Sequence, residues 1–313
     1  MDLVRAGRVT LNGRVCKGAN THVDSDTDVV CVDGVKLPPP VQLSQARIWR
    51  YHKVMGEVVS HSDPQGRPTP FKAALEAGVP PLRSAGRLDL GTEGLMLLSD
   101  CASLVRTLEH PSGGFMRTYL AEVANASPSL SGTAPEVSAD MHDSLAAGIT
   151  LRTGAAFRPI FVDCDDRAIA SAHAHIVGTG ASHGASSMSG QTGSSTENSV
   201  RSLQRRLLKR HASAAHQSST RRLRGLRPDQ DATTPDLAGT ARCRRWFRIK
   251  LFEGKTHEVR RALAHFDFDV LRLVRVAFGP FHLGDLPPGQ LEEADVRGEE
   301  LTQIRARAEE LEF

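Results

Sequence analysis

The sequence predicts an α+β fold, and three observations carry that reading. Apolar runs of strand length mix with helical patches without a regular strand–helix–strand rhythm, so a doubly wound parallel sheet is not expected. Turn chemistry sits between the short apolar runs, clearest at Asn12-Gly13. Finally, 313 residues with 40% hydrophobic content can bury a sizeable core, but residues 171–240 are too rich in Ser, Gly, Ala and Thr to join it.

The elements follow in order. Val9 to Val15 reads as two short strands about Asn12-Gly13, and Asp28 to Val35 as a second strand–turn unit. Pro38, Pro39 and Pro40 form a stiff break that suits a domain boundary. Ile48 to Ser60 alternates as a strand pair about Gly56, and Pro70 to Ala77 is a helix ended by Gly78. Gly94 to Leu98 is a buried strand, after which Asp100 is placed to cap a helix reaching Glu109. Thr118 to Ala124 and Arg158 to Asp163 are strands, separated by a helix from Ala139 to Ala147 that Gly148 ends. After the 171–240 insertion come a strand over Trp246 to Phe252 and a helix over His257 to Ala264. The insertion reads as disordered, and it gathers nine basic residues between Arg201 and Arg227, as a solvated linker or an RNA-contacting arm.

Several function classes drop out. With 39 Lys and Arg against 36 Asp and Glu the net charge is +3, too small to argue for nucleic acid by itself. No run of 18 apolar residues exists, so a membrane span is not expected. Five scattered cysteines without C-x-x-C argue against a disulfide scaffold and a zinc site. Gly254-Lys255-Thr256 lacks the first glycine of a phosphate loop, and Gly178-Thr179-Gly180 has no preceding strand. His173, His175 and His183 have no ligand partners at metal spacing.

Three places carry candidate chemistry. In Gly86 to Asp100 (GRLDLGTEGLMLLSD), Asp89 stands between apolar neighbours with Arg87 upstream and Gly91 and Gly94 downstream. Such a turn can hold one acid at a sheet edge while a nucleic-acid backbone approaches; the same pattern also suits an Asp that caps its own turn. In EGKTHEVRR, Arg260 falls in the first turn of a helix, where a guanidinium can clamp a carboxylate bidentately; an ordinary charged helix face is the other reading. Arg117-Thr118-Tyr119 opens a strand, where a tyrosine serves packing as readily as chemistry.

Gly86 to Ser99 resembles the G-R-L-D-x-x-T-x-G-L-x-L-L signature of ribosomal-RNA pseudouridine synthases of the RsuA/RluB type. Three further blocks follow in family order: Arg117-Thr118-Tyr119, EGKTHEVRRAL, and Val270-x-x-Leu273-x-Arg275 with FGPFHLGDLPPGQLEE. The resemblance spans roughly 46 to 300 outside the insertion. It implies a mixed, largely antiparallel sheet with flanking helices over 46–313. Residues 1–40 look like the second half of an S4 RNA-binding module.

Carried over, the resemblance makes Asp89 the catalytic aspartate, paired with and oriented by Arg260, and Tyr119 the residue stacked on the target base. Leu273 would pack against that base, Arg87 would fill the hole the flipped base leaves, and Lys255 would bind substrate. Arg5, Arg8, Arg14 and Lys17 would contact RNA phosphates. No metal or other cofactor is implied. The sequence departs from the family at Lys53-Val54-Met55-Gly56, where K-P-x-G is usual, and at Asp100-Cys101-Ala102, where N-D-G is usual. The expected partners are ribosomal RNA and a pre-ribosomal particle, with the protein monomeric and away from membranes. The alternative is a catalytically silent ribosome-assembly factor retaining the fold. A eukaryotic style of insertion on an alphaproteobacterial-looking C-terminal stretch points to a mitochondrial compartment, with the cytoplasm as the alternative.

Overall fold

The computed structural model describes residues 2–18, 20–24, 27–127, 134–164, 243–294 and 299–310. The 171–240 insertion and its basic stretch lie outside these residues.

The N-terminal segment carries a short helix α1 (Asp2–Arg5) and strands β1 (Val9–Leu11), β2 (Arg14–Val15), β3 (Val30–Val32) and β4 (Val35–Lys36). They form a four-stranded antiparallel sheet in the order β2-β1-β3-β4. Its two tight turns use the residues that tolerate positive φ, Asn12-Gly13 at 50° and 78° and Asp33-Gly34 at 51° and 80°. This is the turn geometry that matches the twist of the strands it joins. Asn12 also accepts from Val29 N at 2.8 Å, tying the first hairpin to the second.

The remaining elements in chain order are β5 (Ile48–Lys53), α2 (Pro70–Glu76), β6 (Arg83–Ser84), β7 (Glu93–Ser99), α3 (Ala102–Glu109), β8 (Arg117–Asn125) and α4 (Ala139–Ala147). Then come β9 (Ile149–Thr150), β10 (Ala156–Phe157), β11 (Ile160–Asp163), β12 (Arg244–Leu251), α5 (Glu258–Ala264), β13 (Phe268–Phe278), β14 (Phe281–His282), β15 (Leu291–Glu293) and α6 (Glu299–Glu310). The main sheet runs β11-β12-β8-β13-β7-β5-β15, with β14 on β13 and β6 on β7. Every pairing is antiparallel except β7 with β13. The α+β class and the largely antiparallel sheet are therefore as the sequence predicts.

Both faces of this sheet are buried, which is why β7 reads as a continuous apolar run instead of alternating with polar residues. Its side chains divide by parity. Leu95 and Leu97 join Ile48, Leu120, Val274 and Phe278 beneath α3 and Ile304 of α6. Met96 and Leu98 join Tyr51, Ala121, Val123, Phe247 and Ile249 beneath α2, α4 and α5. The second layer also holds Tyr119 and Leu273, so the face covered by α5 is the one that carries the candidate chemistry.

Three local expectations are corrected. Past Lys53 the chain leaves the sheet and forms no second strand before Ser60, because Glu57 turns inward to accept from Tyr51 Oη at 2.6 Å and Val54 N at 3.1 Å. Asp100 does not cap α3; it accepts from the backbone N and Nε of Arg47, leaving Cys101 at the cap position with no side-chain bond to the helix backbone. Gly94 serves the sheet, not an approaching RNA. At φ 102°, a Cβ there would stand 2.3 Å from the carbonyl oxygen of Arg275, where β7 and β13 run parallel.

Candidate active site

Asp89 sits in the loop between β6 and β7, and the loop is fixed by its own backbone carbonyls. Asp89 O accepts from Thr92 N at 3.0 Å and Leu90 O from Gly56 N at 2.9 Å. Gly91 O accepts from Arg260 Nη2 at 2.9 Å, and Thr92 O from Lys53 Nζ at 2.8 Å. Four consecutive carbonyls thus have donors from three parts of the chain: Thr92 of the loop itself, the 53–56 segment and Arg260. A loop held by a run of paired carbonyls keeps its side chains in place, which a catalytic carboxylate requires.

Asp89 borders a cleft of about 460 Å³ whose walls include Arg87, Tyr119, Lys255, His257, Arg260 and Leu273. Its carboxylate is 31% exposed, and Oδ2 lies 3.5 Å from Nδ1 of His257. Tyr119 and Leu273 are buried in neighbouring strands β8 and β13, where Ala121 is the cross-strand partner of Leu273. Arg87 is exposed on the loop that carries Asp89. The structure therefore gathers Asp89, Tyr119, Arg260, Arg87, Leu273 and Lys255 about one cleft, from segments spread over more than 180 residues.

The bidentate clamp expected between Arg260 and Asp89 is not what the guanidinium makes. Nη1 donates to Val270 O at 2.7 Å and Nη2 to Gly91 O, so Arg260 bridges β13 and the aspartate loop. Burial lowers the Arg260 pKa, and the Asp89 charge opposes that shift. Arg260 thus bears on Asp89 by fixing the loop that carries it. Lys255 is also engaged, donating to Ala156 O at 2.7 Å and pairing with Glu253 at 2.9 Å, while its side chain stays 49% exposed.

Four further charged residues belong to this region, and sequence reasoning gave them no role. Lys53 is fully buried at the end of β5, where burial pushes its ammonium down to about 8 against the attraction of Glu57, Glu93 and Asp89. Arg117 opens β8 under the cleft and donates to Phe252 O at 2.7 Å. Burial lowers its pKa. Arg275 donates to Leu95 O at 2.7 Å and stays buried on β13. Glu258 opens α5, where burial and the neighbouring Glu253 push its carboxyl up to about 7. Burial works against the Glu253 charge too, but donation from Arg158 N and the Lys255 ammonium hold that carboxyl below its ordinary range. The available signal for Lys53 was a basic residue closing a strand, IWRYHK, whose other residues mix apolar and basic side chains.

His257 was likewise passed over. It precedes α5 in the left-handed region at φ 54°, which carries its ring to Asp89. In the N-terminal sheet, Arg8 is paired with Asp33, whereas Arg5, Arg14 and Lys17 are exposed. Among the described residues no group of three or more His, Cys, Asp or Glu could hold a metal ion, and no helix is long and apolar enough to cross a membrane.

Comparison with known proteins identifies the family. Residues 47–265 match the family model of RNA pseudouridylate synthases. A Rickettsia felis protein described as an uncharacterized RNA pseudouridine synthase is 24% identical over 291 residues, 93% of this chain and 87% of its own length. A ribosomal large subunit pseudouridine synthase B of Vibrio cholerae is 36% identical over 122 residues, 39% of this chain and 38% of that protein. A crystal structure of a pseudouridylate synthase shares the fold at a TM-score of 0.50 and 18% identity, over 97% of this chain and 91% of the other. Since the family match runs from β5 through α5 and takes in the whole Asp89 loop, the chain belongs to the RNA pseudouridylate synthase family.

Proposed function

We propose that this protein converts a specific uridine of ribosomal RNA, in the large subunit, into pseudouridine with Asp89 as its catalytic carboxylate. The observation that carries the reading is the placement of Asp89. It is partly exposed on a loop whose carbonyls from Asp89 to Thr92 are all bound, at a cleft walled by Tyr119 and Leu273.

The reaction breaks the N1–C1′ bond of uridine and forms a C5–C1′ bond, after which C5 loses its proton and N1 carries one. Asp89 serves it either by attacking C1′ or by removing the C2′ proton, and both roles need an ionised carboxylate. Tyr119 and Leu273 pack on the base, and Arg87 takes the space the base vacates in the RNA. A stacked uridine must leave its stack to reach such a cleft, at a cost of a few kcal/mol, so a loop nucleotide is favoured. Lys255 remains exposed enough to meet a phosphate at the rim. Arg5, Arg14 and Lys17 offer further phosphate contacts from the N-terminal sheet, where Arg8 is held by Asp33.

The test is a site-resolved pseudouridine map of mitochondrial and cytosolic ribosomal RNA in depleted cells rescued with wild type or Asp89→Ala. The expected result is one site lost on depletion and restored by wild type alone, with mitochondrial RNA the proposed location. An unchanged map, with ribosome assembly rescued by Asp89→Ala, overturns the assignment in favour of an assembly factor.

A further inference from the structure

Three large apolar side chains lie exposed next to the Asp89 loop and have no role in the scheme above. Met55 is 55% exposed, Leu90 is 49% exposed and Leu271 is 39% exposed. The backbone brings them together. Gly56 N donates to Leu90 O at 2.9 Å, which sets Met55 beside the residue that follows Asp89. The Arg260 guanidinium then links Gly91 O to Val270 O, joining the chain neighbours of Leu90 and Leu271. Leu271 is the extra residue where the β13–β8 register shifts between Val270 and Arg272. A bulge beside a functional site re-aims a side chain.

Resting on the reading of this cleft as one that takes a flipped uridine, we infer that Met55, Leu90 and Leu271 form an apolar rim that packs on the unstacked bases flanking the target nucleotide. The occupant follows from continuity with the cleft. Leu90 follows Asp89 in the chain, so a strand that places a nucleotide against Asp89 brings its neighbouring bases to these residues, after those bases have lost their own stacking partner. Leucine and methionine are side chains that nucleic-acid-binding proteins insert against opened base steps. The rim therefore selects uridines displayed in loops or bulges over uridines within a duplex.

The experiment compares two hairpin RNAs, one with a single bulged uridine flanked by 2-aminopurine and one fully paired. Wild type is expected to raise 2-aminopurine fluorescence on the bulged RNA and bind it more tightly than the paired one. Leu90→Ser combined with Leu271→Ser should lose most of the fluorescence rise and about tenfold in affinity, on the scale of one lost base contact. Met55→Ser should lose less than this pair, and Leu75→Ser, exposed on α2 away from the loop, should lose nothing. Equal binding of both RNAs by wild type, or an unchanged response in the double variant, overturns the inference. Pseudouridine formation on the same RNA is read separately. An intact fluorescence pattern with no product in any reaction would remove the isomerase reading and leave the rim standing.

Discussion

Nη2 of Arg260 donates to the carbonyl oxygen of Gly91 at 2.9 Å, two residues beyond the aspartate it supports, while Nη1 holds Val270 O. One guanidinium thus ties the Asp89 loop to the strand that carries Leu273. Asp89 is left with its carboxylate unclamped and within 3.5 Å of His257. This arrangement separates two tasks a direct ion pair would merge, placing the loop and keeping a charge near the acid.

Arg260→Ala should lower the single-turnover rate by about a hundredfold, the size of effect that follows an ångström of misplacement in a reacting group. Arg260→Lys should recover little, since a single ammonium does not reproduce the planar fork between two carbonyls. Rates on a modified-site RNA, with far-ultraviolet circular dichroism to confirm the fold, check this. Full activity in Arg260→Ala would refute a placing role.

Lys53 makes a prediction about pH. Its folded pKa, near 8, lies below the ordinary lysine value of 10.5, so between those values the unfolded chain holds more protons than the folded one. Stability from this residue therefore rises with pH above about 8, as the buried ammonium loses its charge. Tyr51 opposes it above 10, because its folded pKa is raised and only the unfolded phenol ionises there. Lys53→Met should remove the rise between pH 8 and 10. It should also lower activity by loosening Thr92 O, which denaturant melts and rate measurements across that range would show.

Glu258 carries the opposite sign. Raised to about 7 from 4.5, its carboxyl holds a proton in the folded state that the unfolded chain releases, so its contribution to stability falls as pH climbs through that interval. Glu258→Gln keeps an acceptor for Lys255 N and removes the charge. The variant should melt higher than wild type at pH 8, by a margin of order 1–3 kcal/mol, and converge with it near pH 5. A variant less stable than wild type at pH 8 would contradict the protonated assignment.

Gly94→Ala should be the most damaging conservative change in the signature. The added methyl would meet backbone atoms of Arg275 at 2.3 and 2.7 Å, at a φ of 102° that L residues rarely adopt. Parting the parallel β7–β13 pair should cost about 3 kcal/mol or more, some 6–12 °C in Tm for a domain of this size. Thermal unfolding measures it, and a shift under 2 °C would show that the strands can part cheaply.

The sequence by itself determined the α+β class, the hairpin turns at Asn12-Gly13 and Asp33-Gly34, and helices α2 and α4 with the glycines that follow them, because these depend on contacts within a few residues. It also identified Asp89, Tyr119, Arg260 and Leu273 as candidates, since the family signature keeps their spacing. Tertiary structure decided the rest. β13 was not legible as a strand although it lies at the centre of the sheet, because LRLVRV mixes arginines with apolar residues. Those arginines find their partners at long range, Arg272 in Glu93 and Arg275 Nε in Leu95 O. The strand expected after Gly56 dissolved for a related reason: Glu57 found a buried partner in Tyr51. The donors to Leu90 O, Gly91 O and Thr92 O, and the rim of Met55, Leu90 and Leu271, likewise depend on residues distant in sequence. Local propensity acts over neighbours, whereas a buried charge or carbonyl is stable only where some other part of the chain supplies its partner.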